Sequence, residues 1–113
     1  MTTNGELPLR FGVVKAPKDA PEKVLRRCDS EAMAVGVSMA AAGCKLAYIA
    51  AMLGVSVAMV SRYRSGERHM PETRVQAFCN ATGSNLLRQY RDLQELIEDD
   101  ETARLAAMLR ECA

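Results

Sequence analysis

Tryptophan is missing from this chain of 113 residues, and with three tyrosines and two phenylalanines the aromatic share is only 4%. A core built around large rings is therefore excluded, although hydrophobic residues make up 49% of the chain. Such a core has to come from Ala, Val, Leu and Met, short side chains that suit helices packed closely on one another. Alternating β-branched runs are scarce as well, which argues against a sheet. The expectation is an all-α fold in the size range of one domain.

Charge is nearly absent from Ala32 to Val60, where Lys45 stands alone. That stretch is mostly Ala, Gly, Ser and Met and is broken by glycines, unlike the sustained Leu, Ile and Phe of a membrane span. No secretory signal is recognised at the N-terminus, so a cytoplasmic chain with no membrane partner is expected. The four cysteines, Cys28, Cys44, Cys79 and Cys112, lie far apart with no CxxC pair. They read as reduced, mostly buried thiols. His69 is the single histidine and has no ligand-spaced neighbour, so no metal and no cofactor is expected. A nucleophile with a base, or a glycine loop to cradle phosphate, is also lacking, and catalysis is not expected. The acids Glu98, Asp99, Asp100 and Glu101 read as a water-exposed helix junction.

What is present is unevenly placed. Residues 1–74 carry 11 Lys/Arg against 7 Asp/Glu, whereas residues 75–113 carry 4 against 7. A basic front and an acidic tail fit one face for a polyanion and another for protein contacts.

Residues 1–20, with Gly5, Pro8, Gly12 and Pro17, read as a flexible arm, with a short strand allowed at Leu9 to Val14. A short helix carrying Val24 and Leu25 follows Pro21. Asp29 or Ser30 then caps a helix to about Ala42, with Met33, Val37 and Ala40 or Ala41 facing inward. Gly43 closes it. Leu46 to Leu53 is helical in pattern and stops at Gly54, and Ser56 caps a helix from Val57 to about Ser65 that stops at Gly66. Pro71 opens a helix through Cys79 with Val75, Phe78 and Cys79 on one side, and Gly83 follows. Ser84 or Asn85 caps a helix to about Asp99, on which Leu86, Tyr90, Leu93 and Ile97 recur at steps of 4, 3 and 4. A last amphipathic helix at 101–112 carries Leu105, Met108 and Leu109. The division is thus a 1–20 arm, a 21–83 helical domain and 84–113 C-terminal helices.

The segment 46–65 has the signature of two helices meeting at a tight turn. Ala50 is small where the second helix must cross the first. Gly54 supplies positive φ at the turn, and Val60 pins the second helix to the core. Ile49, Leu53, Val55 and Tyr63 complete the apolar set. The run LAYIAAMLGVSVAMVSRYRSGER at 46–68 resembles the helix-turn-helix of lambda-repressor/Cro-like (XRE-type) DNA-binding regulators, whose pattern reads LA..LGVS...ISR.E.G.R. The run departs from that pattern in two respects. Val57, Ala58 and Met59 stand where many relatives carry polar readers, and Arg64 stands where an acid is common.

The resemblance implies a compact domain of about five or six helices with the second helix of the motif in a major groove. It implies Val57, Ala58, Ser61 and Arg62 as base readers, Arg62 toward guanine and the apolar pair toward thymine methyls. Lys45, Tyr48, Arg64, Ser65, Arg68 and His69 would meet phosphates. The implied partner is double-stranded DNA, a pseudo-palindromic operator bound by a homodimer, and the implied role is transcriptional regulation, most simply repression. The Leu86/Tyr90/Leu93/Ile97 stripe, with Leu105 and Met108, either forms the dimer surface or closes the monomer core. Two further readings stay open: a protein-interaction module, and the antitoxin half of a toxin–antitoxin pair.

Overall fold

The computed structural model describes residues 16–112, and among them the fold is all-α. Six helices follow in order: α1 Glu22–Arg27, α2 Glu31–Ala42, α3 Leu46–Leu53, α4 Val57–Ser65, α5 Glu72–Thr82 and α6 Leu86–Cys112. No single described helix is long and apolar enough to cross a bilayer. The strand allowed at Leu9 to Val14 lies outside the described residues.

Helix ends fall where small polar side chains and glycine put them. Ser30 and Ser56 accept the N–H of Met33 and Met59, each at 3.1 Å, satisfying donors that a first turn leaves open. Gly43, Gly54, Gly66 and Gly83 each end a helix in the left-handed region. The core includes Val35 and Met39 of α2, Ile49, Ala50 and Leu53 of α3, Val60 and Tyr63 of α4, Val75 and Phe78 of α5, and Leu86 and Leu87 of α6. Each fully buried aliphatic or phenyl group in that set contributes about 1.5–3 kcal/mol.

Three expectations are corrected. In α2 the inward residues are Ala34, Val35, Ser38 and Met39, while Met33, Ala40 and Ala41 are exposed and Val37 is half-buried. Small apolar residues surround this helix, so its sequence names no preferred face. Residues 86–112 form one helix rather than two, because a run of four acids in water does not break a helix, and Arg104 pairs with Asp100 at 2.8 Å one turn on. The Leu86 stripe also divides. Leu86 is 2% exposed and closes the monomer core, Tyr90 and Leu93 are half-buried, and Ile97 is 51% exposed.

Pro17 to Ala20 are fastened to the α5–α6 junction. Lys18 donates its N–H to Gly83 O at 3.1 Å and accepts from Asn85 N–H at 2.8 Å. The Asn85 amide donates to Pro17 O and to Asp19, and Gln89 brackets the Ala20 peptide from both sides. The last four residues of the expected arm are therefore an extended strap.

Candidate nucleic-acid interface

α3, the turn Gly54–Ser56 and α4 form a single unit. The Val55 N–H returns to Ala50 O at 3.0 Å across the turn, which Gly54 makes possible at φ 71°. Ile49, Ala50 and Leu53 of α3 and Val60 and Tyr63 of α4 are all buried in the core, while Gly54, the other residue expected to hold the motif, is exposed at the turn. Val55 packs against its edge.

On α4 the inner and outer faces separate by angle. At 100° per residue Val57, Ala58, Ser61 and Arg62 fall within an arc of about 140°, opposite Val60 and Tyr63. Val57 is 46% exposed, Ala58 and Arg62 are exposed, and Ser61 is half-buried. The four expected readers thus share one outward surface. Met59 is half-buried against the core and belongs to packing.

The expected phosphate group is less uniform. Lys45 and Tyr48 are exposed at the first turn of α3, and Arg68 is exposed just after α4. Arg64 is exposed but leans on α2, its Cγ 3.9 Å from where a Cβ on Gly36 would stand. Ser65 uses its hydroxyl locally, donating to Arg62 O at 3.2 Å and accepting from Glu67 N–H at 3.3 Å. The His69 ring sits 3.1 Å from a Glu31 carboxylate oxygen and 3.4 Å from an Arg91 guanidinium nitrogen. Structure therefore employs Ser65 and His69 in the fold itself.

Electrostatically the unit is one-sided. Glu67 is the single acid from Lys45 to Pro71, against Lys45, Arg62, Arg64 and Arg68. None of those four cations enters an ion pair among the described residues, whereas Arg26, Arg88, Arg91 and Arg104 do. An exposed cation without a fixed counterion is available to a polyanion at little loss of existing contacts.

Sequence reasoning missed the clamp that orients this unit. Arg91 of α6 grips Glu31 of α2 through two bonds of 2.8 and 2.9 Å, with side chains 15% and 19% exposed. Glu31 also accepts the Met70 N–H, and Arg91 donates to Met70 O, so the α4–α5 loop is caught by the same pair. The partners stand 60 residues apart, and no local spacing announces them.

Comparison with protein-family models, with curated proteins and with solved structures gives no match in any of the three.

Proposed function

We propose that the chain is a sequence-specific, double-stranded DNA-binding regulator of the lambda-repressor/Cro-like kind, most simply a repressor, with α4 as the recognition helix. The observation that carries this reading is the outward face of Val57, Ala58, Ser61 and Arg62 on a helix whose inner face is locked in the core. The cations Lys45, Arg64 and Arg68 around it hold no acid partner among the described residues. In a major groove Arg62 presents two parallel N–H donors to guanine O6 and N7, and Val57 and Ala58 present methyls to thymine. Lys45, Tyr48, Arg64 and Arg68 fix the register on the phosphates. Because one such helix spans only a few base pairs, two copies on a pseudo-palindrome complete the site.

The test is selection from a random duplex library with the wild-type protein and with Arg62→Ala. A two-fold symmetric motif that loses preference at one guanine in the variant, by about 1–3 kcal/mol, supports the reading. Binding that yields no motif and only fades with salt overturns it.

A second reading has its own observation. Tyr48, Met52 and Val57 leave apolar surface exposed on the α3–α4 unit. That surface suits a protein partner, as in an antitoxin that contacts a toxin, and a captured partner that competes with DNA would favour it.

A further inference from the structure

The distal half of α6 is exposed from Glu95 to Cys112 except at the half-buried Ala106 and Ala107, yet it is apolar at intervals. Ile97 and Met108 are more than half exposed, and Leu96, Leu105 and Leu109 more so, up to 73% at Leu109. Leucine at such exposure along a single helix is a surface awaiting cover. Ile97, Glu101, Arg104 and Met108 follow at steps of 4, 3 and 4. They fall within an arc of about 60°, the geometry of a coiled-coil seam.

That stripe reads apolar, acid, base, apolar, and the order decides what can cover it. Laid parallel and in register on a second copy, Glu101 meets Glu101 and Arg104 meets Arg104. Reversed, each apolar end meets an apolar end and each charge meets its opposite. We propose that α6 pairs with α6 of a second copy of this chain in antiparallel fashion, about a two-fold axis between Thr102 and Ala103. Ile97 then packs on the partner's Met108, and Glu101 faces the partner's Arg104, each contact occurring twice. Leu105 flanks the seam on one side and Leu93 on the other. The acids at 98–100 lie beside the partner's Leu105, Ala106 and Ala107 rather than beside its acids. The pairing supplies the second copy that a two-half-site DNA reading requires, and for that purpose it rests on that reading. The contact itself needs no DNA. The seam keeps Leu93, Ile97, Leu105 and Met108 of the expected dimer surface and leaves out Leu86, which lies in the monomer core.

Sedimentation equilibrium of the full chain without DNA tests this. The wild-type protein is expected at twice its 12.4 kDa mass. Glu101→Arg and Arg104→Glu, taken singly, place like charges at both symmetric contacts and weaken dimerisation by roughly tenfold. The double swap Glu101→Arg with Arg104→Glu restores the opposition and recovers the dimer. All these positions are exposed, so circular dichroism confirms that each variant stays folded. A monomeric wild-type protein at high micromolar concentration overturns the proposal, as it would if residues 1–15 or a foreign protein covered the face. A dimer indifferent to the single reversals, or a double swap no better than either single, also overturns it. Loss of sequence-selective DNA binding with the dimer intact would count against the DNA reading alone.

Discussion

At Gly54 the backbone holds φ 71° with nothing within 4 Å of where a Cβ would stand. Gly54→Ala therefore meets a conformational penalty and no clash, and a loss of about 1 kcal/mol is expected in urea unfolding. Gly66 differs, since a Cβ there would lie 3.3 Å from the Ala32 Cβ at φ 87°. Gly66→Ala should lose more stability than Gly54→Ala, and the reverse order would refute this account of both turns. Both glycines were legible in the sequence because a left-handed residue is demanded by the turn itself. The cysteines were legible only in part. Cys28 and Cys79 are buried and Cys44 half-buried, but Cys112 is exposed on α6. Burial raises the thiols of Cys28, Cys44 and Cys79, so they stay protonated and inert near neutral pH. A thiol reagent on the native protein is expected to modify Cys112 quickly and the other three slowly; uniform rates would contradict their burial.

Among the elements, α4 depends on a single side-chain cap. Ser56→Ala should remove about 1 kcal/mol, with Ser56→Asp retaining most of it, as read from denaturant midpoints. The clamp between α2 and α6 is worth more. Arg91→Met leaves Glu31 shielded without its main partner and is expected to cost about 2 kcal/mol. A melting temperature unchanged by that substitution would show the pair to be ornamental. Legibility at this scale followed the strength of local signals. The extents of α3 and α4 were readable from Gly54, Ser56 and Gly66, and the inner face of α4 from Val60 and Tyr63. The inner face of α2 was not, because Ala, Val and Met occur all round it. The continuity of α6 was hidden by the acids at 98–101, which look like a junction although water tolerates them on a helix. On the candidate interface, Val57, Ala58, Ser61 and Arg62 were singled out by the resemblance of 46–68 to the helix-turn-helix family, and not by periodicity. The contacts of His69 with Glu31 and Arg91 depend on tertiary neighbours and were not readable, whereas those of Ser65 with Arg62 and Glu67 are local.

For the whole molecule, four buried or half-buried weak acids act together. Burial, then Asp29, raises both the Cys28 thiol and the Tyr90 hydroxyl, and burial raises Cys44 and Cys79. The folded state holds these protons more tightly than the unfolded chain does. Their contribution to stability is complete at neutral pH and is lost as pH climbs past 9.0, the ordinary thiol value. The melting temperature should fall steadily above that point, and one that stays level to pH 11 would dismiss the linkage. The Glu31–Arg91 clamp has a further, mechanical consequence. It grips α6 near its root and leaves about 30 Å of helix running on to Cys112, so the helix acts as a lever arm. A tilt of about 10° at the clamp swings the tip by about 5 Å. If α6 pairs antiparallel and α4 reads DNA as proposed, both roots tilt, and the span between the two α4 helices would follow the stiffness of the two Glu31–Arg91 pairs, one in each copy, limiting how far apart two half-sites can lie.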